Sequence, residues 1–323
     1  MTKEMIVIIA MINAAKYDIA QNYFKKFGAN KYQSITSKIR VDDMASYFVT
    51  AGIVGRMDEL PEIKVNGFGT LEVEPDIVGG TTPYTPTDIL EIKAGIPTYI
   101  NGKTIPAKDR VKAKHVKILN SAIENRKEKM AAEIFLNGST YDKGNKLVSF
   151  GLSAIAALDF TDKVASDLIE DLIIKYQSKY GVIPTVEVGR DVFNKIKNEA
   201  RDVRQNINNV SVLANPSNPS EMALTINGRK ITLLMDAINT KGVAIDASKR
   251  IALYDPNRLA TAFAGLSYGD IKSNETNVVA TELLAGETRV NETIGSKGLW
   301  AKSAPLPVIV DVKTFLRYDA TGL

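Results

Sequence analysis

One histidine, His115, is the only side chain of its kind in this 323-residue sequence, and there is no cysteine. Catalysis by histidine, the side chain that titrates near neutral pH, has that one candidate. It falls beside Val111 and Ile118 at helical spacing, and a partly buried residue on a helix face accounts for it. No Ser-His-Asp set can be built without it, and no G-x-S-x-G turn occurs. A histidine metal cluster, a thiolate ligand set and a disulfide are all excluded by composition. The carboxylate pairs Asp42-Asp43, Asp58-Glu59 and Glu170-Asp171 lack the spacing of a cation-binding loop and read as solvated surface. Gly67-Phe68-Gly69 has neither a third glycine nor a helix start behind it, and no G-x-x-x-x-G-K-[ST] occurs. The sequence therefore offers no catalytic, cofactor-binding or metal-ligating set, and reads as a protein that is not an enzyme.

The charges are more informative. Glu62, Glu72, Glu74, Asp76, Asp88 and Glu91 make residues 58–103 acidic. Lys108, Arg110, Lys112, Lys114, Lys117, Arg126, Lys127 and Lys129 follow within one stretch, interleaved with Asp109, Glu124, Glu128 and Glu133. The plainer reading is a solvated helix face laced with i,i+4 ion pairs. The sharper one is pairing between copies of the chain, in which charge sets orientation more than affinity. It names Glu72, Glu74, Asp76, Lys112, Lys114 and Lys117 as candidate inter-subunit contacts. Net charge is only +4, too little for a dedicated nucleic-acid binder but compatible with weak contact.

Two elements must position these charges. Residues 105–137 read as one amphipathic helix, about 33 residues and about 50 Å long. Thr104 caps it, Pro106 sits in the first turn and Asn137-Gly138 stops it. Val111, His115, Ile118, Leu119, Ala122, Ile123, Met130, Ile134 and Phe135 form its apolar stripe. Upstream, 58–103 reads as an extended arm with short strands at Ile63–Val65, Thr70–Glu74 and Ile89–Ile92, punctuated by Gly79-Gly80, Pro83 and Pro86. Such an arm needs a partner surface, and deleting Gly67–Pro97 is expected to leave a folded subunit. A helix too long for one ordinary core beside a projecting arm suggests a chain that reaches its neighbours.

Elsewhere, residues 5–27 read as a helix closed by Gly28. Met5–Ile12 behind Lys3 superficially resembles a signal sequence, but the run is short and Asn13 interrupts it. Residues 32–41 alternate as one strand, and Phe48–Val54 is a further apolar run. Asp162–Tyr180 (stripe Val164, Leu168, Leu172, Ile173, Tyr176) and Arg190–Glu199 are helices around a strand at Ile183–Val188, the signature of an α/β lobe. Asn206–Pro219 reads as a surface loop. Ala223–Ile226 and Lys230–Leu234 flank Asn227-Gly228 as a hairpin, and Ile251–Tyr254 is a strand. The remainder reads as β: Thr261–Tyr268, Val278–Leu283, Thr288–Ile294 and Pro307–Val312. No run approaches the roughly 18 apolar residues of a membrane span.

This layout resembles the tailed-bacteriophage major capsid proteins of the lambda-like capsid protein E family. The resemblance rests on Ile8-Ile9-Ala10-Met11-Ile12-Asn13-Ala14, on Val54-Gly55-Arg56 ahead of an extended segment, and on Arg126-x-Glu128-x-Met130-Ala131-Ala132 ahead of Asn137-Gly138. It also rests on Lys302-Ser303-Ala304-Pro305-Leu306-Pro307-Val308-Ile309-Val310, and on the order of all four. Residues Glu72–Thr87 depart from the family's usual loop sequence. The resemblance implies an α+β, Hong Kong 97-type capsid fold. It implies an N-arm (1–30), a peripheral β part (31–57), an extended β loop over an adjacent subunit (58–103) and a peripheral domain with a long spine helix (104–154). An axial α/β domain (155–265) and peripheral β segments with the C-terminus (266–323) complete it. The implied role is self-assembly into pentamers and hexamers of an icosahedral virion head around double-stranded DNA, within the host bacterial cytoplasm. The implied partners are a separate scaffolding protein, since no long prodomain precedes the N-arm, a portal and a decoration protein, with no cofactor and no membrane. The alternatives are an encapsulin-like compartment shell and a two-lobed α/β enzyme or small-molecule binder.

Overall fold

The computed structural model describes residues 22–40, 72–88, 99–100, 103–104, 107–142, 146–202, 210–213, 223–226, 228–270, 275–291 and 295–323. The expected helix over 5–27 therefore lies outside the described residues apart from its end, where Phe24–Gly28 forms a 3-10 helix. Phe48–Val54, Ile63–Val65 and Ile89–Ile92 lie outside them as well.

The long helix is present as α1 (Ala107–Asn137), 31 residues and about 46 Å long. Residues 105 and 106, including the expected first-turn proline, lie outside the described set. At the other end Gly138 takes φ +71° and donates its N–H to the Ile134 carbonyl at 2.8 Å. A Cβ there would stand 2.6 Å from Leu152 Cδ1, so a side chain would have to push Leu152 aside as well as strain the left-handed backbone. Ahead of α1 in the chain come β1 (Asn30–Gln33), β2 (Ile39–Arg40), β3 (Glu72–Val73) and β4 (Val78–Tyr84). Behind it come β5 (Ala156–Asp159), α2 (Ala165–Tyr180), β6 (Thr185–Val188), α3 (Arg190–Asp202) and β7 (Val210–Leu213). Next are β8 (Ala223–Ile226), β9 (Arg229–Leu233), β10 (Arg250–Tyr254) and β11 (Leu259–Phe263). Last are β12 (Leu284–Asn291), β13 (Ser296–Ser303), β14 (Pro305–Ile309) and β15 (Leu316–Thr321).

Three sheets hold all of these strands except β2 and β3, which pair with each other. The largest has seven strands in the order β7-β8-β9-β6-β10-β15-β5, with the β6/β9 and β15/β5 pairs parallel. Helices α2 and α3 pack on it through Ile169, Ile173, Tyr176, Val192, Phe193 and Ile196. A second sheet, β12-β13-β4, is antiparallel throughout. A third, β1-β11-β14, joins β1 in parallel to β11. Helix α1 outruns one core by using two. Val111, Val116, Leu119, Ile123 and Met130 pack with Val78, Tyr84, Leu299 and Ala301 of the second sheet. Ala131 to Leu136 except Glu133 belong instead to the main core around Phe27, Tyr254, Leu306 and Phe315.

Several boundaries differ from the sequence reading. The strand expected over 32–41 is two strands in different sheets, because Ser34 and Thr36 hydroxyls bind locally and turn the chain, Thr36 Oγ1 donating to the Lys38 carbonyl at 2.7 Å. Residues 72–88 of the expected arm are built into the body: β3 pairs with β2, and β4 is the edge of the second sheet against α1. The expected loop 206–219 contains β7. Thr261–Tyr268 divides at Ala264-Gly265, whose N–H groups bind the Ala304 and Thr36 carbonyls at 3.0 and 2.8 Å. On α1, Ile118 and Ala122 leave the apolar stripe for the surface because the sheet covers only one side of the helix. On α2, Val164 is exposed and Ile169 takes the buried place. Strands β4, β5, β13 and β15 are additional. The sheet of the α/β lobe thus includes β15 from the C-terminal segment, while β11 pairs outside it.

Candidate assembly surfaces

The six charged residues singled out by sequence fall into two groups. Lys112 is spent inside the subunit. Its Nζ meets Glu287 Oε2 of β12 at 2.8 Å, with both side chains largely buried, and Lys297 Nζ of β13 stands 3.4 Å from the other carboxylate oxygen. Tyr84 donates its hydroxyl to that same oxygen at 2.6 Å. Burial opposes the charge on Glu287, but hydrogen bonds from Lys112 and Tyr84 and the two ammonium charges outweigh it and hold the carboxyl down to about 2. This cluster fastens α1 to the second sheet. Glu72 is also engaged. It accepts from Arg40 Nε at 3.0 Å and lies 3.4 Å from Lys38 Nζ. The Arg40 hydrogen bond first, and Lys38 after it, hold its carboxyl below the ordinary range. Glu74 and Asp76 are half-buried and, like Lys117, have interactions within the chain.

Lys114 and Lys117 project from the opposite flank of α1, where Ile118 and Ala122 are also exposed. Ile118 is 49% exposed and Ile77, at the start of β4, is 59% exposed. Two open grooves meet at Ile77 to Gly79. One of about 350 Å³ reaches Ala122, Ile123 and Arg126 of α1. The other, about 480 Å³, reaches Trp300 and Lys302 of β13. The arrangement offers a mixed apolar and basic surface along one flank of the helix, of the kind that protein contacts use.

Sequence reasoning missed the residues that tie the parts of the subunit together. Glu128 Oε1 accepts the backbone N–H groups of Asn22 and Tyr23 at 2.9 and 2.8 Å, and Oε2 that of Phe24 at 2.8 Å. One carboxylate on α1 thereby holds the start of the 3-10 helix. Its motif partner Arg126 donates to the Thr240 carbonyl at 2.9 Å. Buried Glu187 of β6 accepts from Tyr254 at 2.8 Å and from Lys26, whose Nζ lies 4.6 Å from the centre of the Phe135 ring. At the end of α1, Arg250 and Arg317 both donate to the Leu136 carbonyl, at 2.8 and 2.9 Å. Two cations on a helix C-terminus satisfy its orphan carbonyl and its dipole together. Only the Arg126-x-Glu128 spacing carried a trace of this in the sequence.

Among the described residues no group of three or more potential ligands could hold a metal ion, and no helix is long and apolar enough to cross a membrane.

The chain is similar in structure to the capsid protein of a prophage of Escherichia coli CFT073, at 14% identity and a TM-score of 0.60, covering 99% of this chain and 100% of that one. It is also similar to a phage-related protein from Bordetella bronchiseptica RB50, at 9% identity and a TM-score of 0.51, covering 100% and 99%. These likenesses establish the fold, which is the Hong Kong 97-type capsid fold in the α+β class. No curated protein matches the sequence. The profile of the family described as phage major capsid protein E matches residues 2–320. With the spine helix, the two cores and the seven-stranded lobe in place, the chain belongs to the phage major capsid protein E family, the structural proteins that form the icosahedral head of the virion.

Proposed function

We propose that copies of this chain close into pentamers and hexamers, and that these rings build the head around double-stranded DNA. The observation that carries this reading is the division of α1. One flank of its N-terminal half is sealed by the subunit's own sheet, and the other shows Lys114, Lys117, Ile118 and Ala122 to the exterior. A head-to-tail contact between unlike surfaces generates closed rings when its rotation closes. Obligate contacts of this kind commonly bury more than about 2,000 Å². The exposed lysine flank serves such a contact by setting orientation, and the acidic partner is the Glu74–Asp76 region of a neighbouring copy. Residues 155–265 meet their copies around the five- and six-fold centres, and part of 58–103 lies over an adjacent subunit. A separate scaffolding protein, a portal and a decoration protein complete the partners, with weak contact to packaged DNA and assembly in the host cytoplasm. An enzymatic activity has no support in the residues.

Negative-stain electron microscopy of the concentrated protein tests the reading. Rings or shells are expected from the wild type. The double variant Lys114→Glu, Lys117→Glu is expected to stay folded and monomeric. Shells of normal yield from that variant would remove the helix flank from the contact, and a wild type that stays monomeric at every concentration and with scaffold added would remove the ring reading.

A further inference from the structure

The contact between α1 and the second sheet contains one ring that its packing leaves incomplete. The His115 ring lies 5.9 Å from that of Tyr84, centre to centre, at 36°. Its Nδ1 is buried and has no hydrogen-bond partner. Tyr84 in turn donates to Glu287, which takes Lys112 one turn earlier on the same helix. The imidazole therefore leans on the tyrosine that closes the ionic cluster linking α1, β4 and β12.

We propose that His115 is an acid-sensitive latch between α1 and β4, which completes their packing while neutral and loosens it when protonated. A neutral imidazole with its proton on Nε2 leaves Nδ1 a bare acceptor, which apolar surroundings tolerate at modest cost. Protonation turns Nδ1 into a charged donor with nothing to receive it, and a buried unpaired charged donor is expensive. The charges facing the ring relieve this only in part. Lys114 on its own helix opposes protonation, and Asp88 favours it. Asp88 already accepts the Thr85 N–H and hydroxyl at 2.6 and 2.9 Å. In the cluster behind Tyr84, two lysines meet the single carboxylate of Glu287. Burial, the largest influence, lowers the proton affinity of the ring below its ordinary value. The unfolded chain takes up its proton near pH 6.5 and the folded one only at lower pH. Stability is thus complete above about pH 6.5 and declines as the pH falls below it, by at most about tenfold in the unfolding equilibrium constant for each pH unit. The inference concerns the subunit alone and stands apart from how rings form.

The sequence supplies its own probes, since it holds one histidine and one tryptophan, Trp300 at the centre of β13. On full-length protein carrying no histidine tag, the imidazole resonance should titrate with a midpoint below 6.5. Denaturant unfolding followed by Trp300 fluorescence should show wild type losing stability between pH 7.5 and 5.5, and His115→Gln and His115→Asn losing much less. A midpoint at or above 6.5, or an equal loss in the variants, overturns the latch. Should both variants fail to fold, the wild-type titration decides alone.

Discussion

The two halves of α1 belong to one continuous helix but serve opposite ends. Its last turns are closed in by the subunit. Residues 130–136 are all buried, and Phe135 meets the rings of Tyr23, Tyr254 and Phe315 edge-on at 5.6, 5.2 and 5.0 Å. Three of its charged residues are consumed within the subunit: Glu128 by the 3-10 helix, Glu133 by Thr240 and Lys127 by Glu124. The N-terminal half is closed on one side only. The sheet takes Val111, Val116, Leu119 and Ile123 and leaves the other flank exposed. A helix can therefore be a keystone along one half and leave a flank open along the other, provided its partners cover it unequally along its length. The difference also separates mutations that unfold the subunit from mutations that spare it.

The largest expected effect comes from removing β4. Deleting Gly67–Pro97 takes away the strand that pairs with β13 and covers α1, so insoluble or molten protein is expected in place of the folded subunit anticipated from the sequence. Soluble protein with native circular dichroism would mean that the N-terminal half of α1 does not need its sheet. Next is Phe135→Ala. It opens a cavity among the rings of Tyr23, Phe27, Tyr254 and Phe315 and should cost about 3–5 kcal/mol in denaturant unfolding. A loss below about 1 kcal/mol would show that the C-terminal half is not the keystone.

Glu287→Gln should cost less, about 2–3 kcal/mol, because it strands Lys112 at a site that is buried but not sealed. The carboxyl of Glu287 is pulled from its ordinary 4.5 to about 2. The stability it contributes is therefore complete above about pH 4.5 and is lost as the pH falls through 2. Wild type and variant should converge in stability between those values, and parallel curves would deny the ion pair its role. Smallest is the effect of Lys114→Glu with Lys117→Glu on the isolated subunit, within about 0.5 kcal/mol, as for exposed sites generally. A loss above about 2 kcal/mol would place that flank in the fold and not in the contact.

The sequence was legible where a signal is local. Helix α1 ends at Asn137 because Gly138 can take a left-handed φ. The β8–β9 hairpin follows from Asn227-Gly228, with Ile226 opposite Arg229 and Gly228 at φ +77°. Helix α2 stops at Gly181, whose N–H binds the Gln177 carbonyl. It failed where the partner is remote. Strands β13 and β15 carry Lys297, Lys302, Arg317 and Asp319, whose spacing names no partner, and in the fold Arg317 reaches the Leu136 and Ser153 carbonyls and Asp319 meets Arg250. The charge pairing expected between copies met the same obstacle. Lys112 and Glu72 looked available, and each has a partner inside the chain, Glu287 and Arg40.

What the sequence determined by itself is what periodicity, turn residues and composition can encode. Those are the long helix with its stop, the α/β lobe, the absence of any histidine or cysteine chemistry beyond His115, and the order of motifs that marks the capsid fold. Only the tertiary structure decided which flank of α1 faces out, which charges are already spent and where the last strand goes. Those outcomes depend on contacts between residues distant in the chain, such as Lys112 with Glu287 and Glu128 with Tyr23. A side chain's pattern along its own strand or helix states that it will be satisfied, but not by whom.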